Sequence, residues 1–194
     1  KGTHRIPHWQ QEQAWIFVTW RLADSLPSAK LNRWQKERDI WLRVNPKPWD
    51  EETEAEYHRT FTDRLDNWLD QGAGSCILRN PEISKIVADS IKHFAGERYH
   101  LGTTVIMPNH VHVMFRPEDG HLLPDIIKSW KGFSSRTINK RLGSSGALWQ
   151  DGYWDTLIRN ECHLYKIREY IRQNPAKAKL PESAYILIEP EPEE

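Results

Sequence analysis

Hydrophobic and polar positions alternate most regularly in one short segment near the middle of the chain. Residues 104–116 read TVIMPNHVHVMFR, which predicts two strands joined at Pro108-Asn109. In the second strand the odd-numbered residues are apolar and share one face, whereas His110, His112 and Met114 share the other. Two imidazoles on one strand face lie about 6.5–7 Å apart at the Cα and can converge on one divalent ion. A half-solvated strand face with two histidines is the alternative interpretation.

The same periodicities predict the other elements. In chain order they are a strand at 15–22, helices at about 31–44 and 51–70, a helix from Asn80-Pro81 to Gly96, strands at 99–107 and 110–116, a helix at 123–141, a short strand at 155–158, a helix from 161 that ends before Asn174-Pro175, and a last strand at 184–188. This order predicts an α+β fold, the ferredoxin-like βαββαβ antiparallel sheet with helices on one face. Residues 27–75 then form a helical insertion before the usual first helix.

The amino-acid composition excludes several classes of protein. We expect one domain over residues 1–194, because a chain of 194 residues is long enough for one hydrophobic core. Ten tryptophans and an ordinary apolar fraction exclude a disordered chain. Cys76 and Cys162 form no motif and indicate a reducing compartment rather than a disulfide scaffold. No apolar run approaches the length of a membrane span and no signal peptide is recognisable, so we expect no membrane partner.

The formal net charge is zero, but the charges are unevenly distributed. Lys and Arg outnumber Asp and Glu between residues 121 and 180, whereas residues 50–70 and the C-terminal tail at 181–194 are acidic. A neutral protein can therefore present a local basic face, although solvated helix surfaces would give the same pattern. The acidic tail is expected to lie near such a face and compete with an anionic ligand.

The helix predicted from residue 161 carries a second pair of candidate residues. Tyr170 and Asn174 are four positions apart and share one helix face. A tyrosine, whose pKa is ordinarily about 10, becomes a useful nucleophile when a metal ion polarises a phosphate. The amide oxygen of Asn174 would complete the shell of an ion such as Mg²⁺ or Mn²⁺. The alternatives are a half-buried packing residue at Tyr170 and a simple helix end at Asn174.

Four sequence blocks, in the right order, resemble those of the REP-associated tyrosine transposases, which belong to the HUH single-tyrosine transposase superfamily. The blocks are MPNHVHV at 107–113, IKSWKGFSSRTIN at 127–139, LWQDGYWD at 148–155 and EYIRQNPAKA at 169–178. The resemblance covers about residues 95–180 and the strand at 15–22. It implies an enzyme that cuts and rejoins single-stranded DNA at hairpins of repetitive extragenic palindromes, in the cytoplasm and at the nucleoid of a bacterium.

The resemblance also implies roles for individual residues. His110 and His112 match the two histidines that bind the divalent ion, Mg²⁺ or Mn²⁺. Tyr170 matches the nucleophile that forms a 5′-phosphotyrosine, and Asn174 matches the third metal ligand, with Gln173 as a neighbouring competitor. Since the superfamily includes dimers with shared sites, a homodimer that exchanges helix 161–174 is one alternative for the assembly.

Basic and aromatic side chains are the candidates for contact with DNA. Those predicted to contact the backbone or stack on unpaired bases are Lys128, Lys131, Arg136, Arg159, Arg172, Lys177, Trp149 and Trp154. Trp130 falls on the apolar stripe of its helix, which favours a core position, and Tyr153 is a further stacking candidate.

Three other functions are compatible with parts of the sequence. A domesticated transposase would bind hairpins without cutting them, although His110, His112 and Tyr170 are intact. A phosphodiesterase with paired His-x-Thr motifs needs two such motifs, and His58-Arg-Thr60 is the single match. A replication initiator or relaxase would share the metal and tyrosine chemistry, but the Tyr-x-x-x-Asn-Pro setting favours the transposase.

Overall fold

A five-stranded antiparallel sheet forms the centre of the protein. The computed structural model describes residues 14–190, so residues 1–13 and the end of the acidic tail at 191–194 lie outside the described residues. The strands are β1 (Ile16–Arg21), β2 (Tyr99–Ile106), β3 (His110–Pro117), β4 (Trp154–Leu157) and β5 (Ile186–Ile188), in the spatial order β4-β1-β3-β2-β5. The α-helices are α1 (Ser28–Val44), α2 (Glu51–Tyr57), α3 (Asp63–Asp70), α4 (Pro81–Lys92), α5 (Leu123–Leu142) and α6 (Glu161–Lys177). Between residues 14 and 190 no helix is long and apolar enough to cross a membrane.

The register of β1 against β3 determines which side chains meet on the sheet. β2 and β3 form the predicted central hairpin, and β1 lies antiparallel on the other side of β3. Thr19 is opposite His112, and Arg21 is opposite His110. Because paired residues of antiparallel strands project from the same face, these four side chains lie on one side of the sheet.

The helices occupy both faces of the sheet. The buried residues of α4 and α5 join Val18 and Val113 in the main hydrophobic core. On the other face, Ile171 of α6 lies in a second cluster with Phe17 and Met114. The predicted α+β class is therefore confirmed. The expectation that the helices lie on one face holds for α4 and α5, which connect strands of the sheet, but not for α6. α6, which follows β4, adds a layer on the opposite face.

Two helices differ in detail from their predictions. Residues 51–70 form α2 and α3, joined by a turn of π-helix at His58–Thr62. The prediction that the last helix ends before Asn174 is wrong, because α6 continues through Pro175 to Lys177. A proline in the last turn removes one backbone donor, and the next turn still closes with Ala178 N donating to Asn174 O at 3.0 Å.

The insertion at 27–75 has a hydrophobic cluster of its own and contacts the central hairpin. Within this cluster, Trp34 Nε1 donates to Phe61 O at 3.1 Å. Asn109, in the turn between β2 and β3, donates with Nδ2 to Leu69 O at 3.0 Å and to Ala73 O at 3.1 Å. The end of α3 is thereby placed against the turn that leads into the two histidines.

Candidate active site

Two imidazoles and one amide meet on the face of the sheet that α6 covers. His110 and His112 are both buried, and their ring centroids lie 4.7 Å apart. Asn174 is also buried, and its Nδ2 lies 3.4 Å from His112 Nε2. The alternation of β3 places both histidines on this face, and α6 brings Asn174 against them.

Hydrogen bonds fix the orientation of both imidazole rings. Since Asn109 uses Nδ2 to donate to two backbone carbonyls, its Oδ1 is the atom that faces His110 Nδ1, at 2.8 Å. An amide oxygen can only accept, so His110 carries its proton on Nδ1 and leaves a lone pair on Nε2. Thr19 Oγ1 lies 2.7 Å from Nδ1 of His112. Both rings therefore have Nε2 on the side away from these partners.

Two atoms of the group are buried without a hydrogen-bond partner, namely His110 Nε2 and Asn174 Oδ1. Unpaired buried polar atoms are uncommon in proteins, and a divalent cation would satisfy both. Burial lowers the pKa of His110 to about 3 and that of His112 well below its usual value, so both rings are neutral, as metal ligands must be. The candidate group contains two histidines and an asparagine, and the described part of the chain has no cluster of three or more His, Cys, Asp and Glu side chains that could hold such an ion. The two neutral imidazoles and the unpaired amide oxygen thus fit a cation.

Tyr170 lies one helical turn before Asn174 and beside His112. The ring centroids of Tyr170 and His112 are 5.5 Å apart, and Tyr170 packs edge-on against Phe17 at 5.8 Å. The Tyr170 hydroxyl donates a hydrogen bond to Asp66 Oδ2. Burial, and then the charge of Asp66, raises the pKa of Tyr170 well above its usual value. The side chain is therefore a phenol at neutral pH and must lose its proton during any attack on a phosphate.

Asp66 is a site residue that the sequence does not point to. It lies in α3 and is 7% exposed. Desolvation by burial raises its pKa to about 7. Its only sequence signal is its place next to Leu65, at the edge of the apolar stripe of the insertion helix. A carboxylate at such an edge is most simply interpreted as the start of the solvated face.

Arg21 is a second unpredicted residue on the same face. It is 1% exposed, and its Nη1 donates to Ser25 Oγ at 2.9 Å. Its Nε and Nη2 are buried without partners, and burial lowers its pKa to about 10, so it stays charged at neutral pH. A positive charge therefore stands beside His110, its register partner. The sequence signal is a charge inside the apolar run WIFVTWRL at 15–22.

Three of the predicted DNA-binding residues are exposed near the site or on α5. Lys128 and Arg136 lie on the outer surface of α5. Lys177 is exposed at the end of α6, with its Nζ 5.0 Å from the centroid of the Tyr170 ring. These positions suit contact with a DNA backbone.

Arg159 and Arg172, also predicted to contact DNA, form ion pairs within the protein. Arg159 pairs with Glu54 of the insertion at 2.9 Å. Arg172 pairs with Glu169 at 2.8 Å and with Glu189 of the acidic tail at 2.7 Å. The tail thus neutralises one of the candidate basic residues, and DNA would have to displace these carboxylates to reach either arginine.

The aromatic loop before β4 belongs largely to the interior. Trp149 is 5% exposed and donates with Nε1 to Ser134 Oγ at 3.0 Å. This burial does not fit the predicted stacking of Trp149 on bases, because the indole faces are covered by the core. Trp154 is half-buried against Trp34, with ring centroids 5.9 Å apart. Lys131 donates to two backbone carbonyls of this loop at 2.7 and 2.8 Å and so stabilises it.

A cleft of about 580 Å³ opens beside the candidate metal ligands. Its walls are the end of α3, the turn between β2 and β3, and residues 178–184. Arg79, Lys179, Asp70 and His110 are among the lining residues, and the His110 side chain at its inner wall is buried.

The comparisons with known proteins identify the family. The model of the family described as IS200-like transposase matches residues 78–174, which is half of the chain. The chain belongs to the IS200-like transposase family. In this IS200-like transposase the matched segment contains both histidines, Tyr170 and Asn174, but it begins after β1 and the insertion.

Two solved structures are similar to this IS200-like transposase at low sequence identity. A REP-associated tyrosine transposase bound to a REP hairpin is 14% identical, with a TM-score of 0.45, and the match covers 91% of this chain and 74% of that chain. A protein from Deinococcus radiodurans described as a transposase is 18% identical, with a TM-score of 0.39, and the match covers 90% of this chain and 96% of that chain. No curated protein matches the sequence.

Proposed function

We propose that this IS200-like transposase cleaves and rejoins single-stranded DNA at hairpins of palindromic repeats, with Tyr170 as the nucleophile. One observation supports this best: Tyr170 and Asn174 both contact His112 in a buried group that includes the unpaired Nε2 of His110. A phenol beside two neutral imidazoles and an amide supplies a nucleophile and candidate metal ligands for metal-assisted attack on a phosphodiester. The hairpin substrate is proposed from the four sequence blocks.

In the proposed reaction the Tyr170 oxygen attacks the phosphorus of a phosphodiester. A bond forms between that oxygen and phosphorus, the bond from phosphorus to the 3′ oxygen breaks, and the phenol proton leaves Tyr170. The products are a 5′-phosphotyrosine and a 3′-hydroxyl, whose oxygen takes up a proton from solvent. Attack by another 3′-hydroxyl reverses the step and rejoins the strands. The tyrosine ester preserves the phosphodiester bond energy, so no ATP is needed.

His110, His112 and Asn174 would hold the divalent cation, Mg²⁺ or Mn²⁺. When bound, such a cation supplies Lewis-acid polarisation of the phosphate. Asn109 and Thr19 orient the two imidazoles through their Nδ1 atoms. Mutation of residues that orient metal-binding imidazoles in this way typically lowers metal affinity about 10- to 100-fold.

Positive charges around the group favour binding of a DNA backbone. Arg21 stands beside the first histidine, Lys177 lies over the Tyr170 ring, and Arg79 and Lys179 line the cleft. Release of counterions from DNA makes such binding fall steeply as salt rises.

The test is covalent capture of end-labelled single-stranded hairpin DNA from the repeats of the source genome. Wild type and Tyr170→Phe are incubated with Mn²⁺, Mg²⁺ or a chelator and run on a denaturing SDS gel. Tyr165→Phe is the matched control, because Tyr165 lies on the same helix and is 64% exposed.

We expect an SDS-resistant adduct with wild type and Tyr165→Phe that requires the metal ion and is absent with Tyr170→Phe. An adduct that persists in Tyr170→Phe would show that the nucleophile is another residue, with Tyr165 and Tyr153 as the next candidates. Hairpin binding without any adduct would support the non-catalytic binding protein instead.

A further inference from the structure

The insertion places a carboxyl group next to the hydroxyl of Tyr170, the proposed nucleophile. Asp66 Oδ2 accepts the hydrogen bond of the Tyr170 hydroxyl, although the two residues are 104 positions apart in the sequence. Asp66 precedes the family-matched segment at 78–174. One partner of this contact therefore lies in a part of the chain outside the segment that matches the family.

Attack by a buried phenol requires a proton acceptor at the same oxygen. The Tyr170 hydroxyl carries its proton in the structure, because it donates a hydrogen bond to Asp66 Oδ2. The two histidines cannot take the proton on Nε2 if these atoms hold a cation. Among the contacts of the Tyr170 hydroxyl, the oxygen of Asp66 is the one positioned to accept.

We propose that Asp66 is the general base of the cleavage step, which rests on the function proposed above. As Tyr170 Oη forms its bond to phosphorus and the bond to the 3′ oxygen breaks, the phenol proton moves to Asp66 Oδ2. When a 3′-hydroxyl attacks the phosphorus and releases its own proton to solvent, the bond from phosphorus to Tyr170 Oη breaks and the neutral Asp66 returns the proton to Oη. Asp66 thus ends each cycle of cleavage and rejoining as a carboxylate.

The surroundings of Asp66 suit a group that gains and loses a proton near neutral pH. Burial raises its pKa to about 7, and nearby Asp70 and Asp63 act in the same direction. Hydrogen bonding from Tyr170 and the charge of Lys177, both on α6, lower it. General acid–base catalysis is most effective when the pKa of the group lies near the working pH.

The experiment compares the single-turnover rate of adduct formation by wild type, Asp66→Asn and Asp39→Asn between about pH 5.5 and 8.5. Asp39 is the matched control, because it is an exposed aspartate in α1 of the same insertion. We expect the wild-type and Asp39→Asn rates to rise with pH through about 7. In Asp66→Asn the rate falls by about 10²–10⁴-fold and this rise disappears.

Thermal unfolding separates the chemical role from a structural one. The pKa of Asp66 is higher in the folded protein, about 7, than the ordinary 3.8 of an unfolded chain. Its contribution to stability is therefore complete below pH 3.8 and is lost as the pH rises through 7. Asparagine does not ionise, so we expect Asp66→Asn to unfold at no lower a temperature than wild type at pH 8.

Three results would overturn the assignment of Asp66 while leaving the proposed function intact. These are an unchanged rate in Asp66→Asn, a slower rate that still rises through pH 7, and a faster rate, which would mean that Asp66 holds Tyr170 back. Absence of an adduct with wild type and Asp39→Asn alike would instead overturn the proposed function, and the role of Asp66 with it.

Discussion

Individual polar atoms are buried without full hydrogen bonding, and several of them are concentrated on one face of the sheet. They are His110 Nε2, Asn174 Oδ1 and two nitrogens of Arg21. Because most buried polar side-chain atoms in proteins are paired, such a concentration is typical of a site that is completed by a ligand. The two acceptor atoms, His110 Nε2 and Asn174 Oδ1, suit a cation, and the two Arg21 nitrogens suit an anionic group.

We expect Arg21→Met to make the protein more stable and less active. Methionine fills a similar volume without the two unpaired nitrogens, whose burial costs about 1–3 kcal/mol in the free energy of unfolding. The same change removes the positive charge beside His110, so adduct formation with hairpin DNA should slow by about 10- to 10³-fold. Chemical denaturation and single-turnover kinetics measure the two effects.

Arg21→Lys is the control for this change, because it keeps the charge and loses the planar guanidinium. We expect it to retain more activity than Arg21→Met and to show no gain in stability. If Arg21→Met were less stable than wild type, Arg21 would be a structural residue whose polar atoms are satisfied in solution.

Elements with a strong local pattern are predictable from the sequence. The alternation of β3 indicated both its strand and the shared face of His110 and His112, because one face of that strand is fully apolar. α4 begins where predicted, since Asn80 Oδ1 accepts from Glu82 N at 3.0 Å and Pro81 occupies the first helical position.

Contacts between distant elements were not predictable in the same way. Asp66 and Tyr170 are 104 positions apart, and no local rule relates a helix of the insertion to α6. Trp149 next to Gly152 has the composition of an exposed loop, yet its indole turns inward to Ser134. Local sequence predicts which element a residue occupies, whereas packing between elements decides which groups meet.

The pairing of α6 with the acidic tail leads to a prediction about DNA affinity. Glu189 accepts from Arg172, and also from Thr103 Oγ1 at 3.0 Å. We expect Glu189→Gln to raise the affinity for hairpin DNA a few-fold and to steepen its salt dependence by up to about one phosphate contact, because Arg172 then keeps only its pair with Glu169. Stability should change by less than about 1 kcal/mol, since the pair is exposed. Fluorescence anisotropy over a series of salt concentrations measures both effects.

Glu182→Gln is the matched control, because it removes one exposed negative charge from the same tail. An equal gain in affinity for both variants would indicate a general effect of net charge and contradict a specific role of Arg172.

At the scale of the whole molecule, one chain supplies every candidate part of the site. The central strands carry the histidines, α6 carries Tyr170 and Asn174, and the insertion carries Asp66. Tyr170 and His112 of the same chain lie in contact. A mixture of Tyr170→Phe and His112→Ala should therefore form no adduct, because neither chain holds both groups.

Mixing wild type with each variant controls for inhibition, and thermal unfolding checks that both variants are folded. Adduct formation restored in the mixture would mean that subunits of a homodimer exchange α6 and would contradict a site built within one chain.

Asn109 forms hydrogen bonds both to His110 and to the insertion. Its Oδ1 accepts from His110, while its Nδ2 holds the carbonyls of Leu69 and Ala73 at the end of α3. Docking of the insertion and orientation of His110, a proposed cation ligand, are thus linked equilibria. Linkage is reciprocal, so a cation that favours the docked insertion must be bound more tightly, by the same factor, when the insertion is docked. Under the proposed function, sequence changes in the insertion would therefore alter cation affinity in evolution without changing any of the proposed ligands.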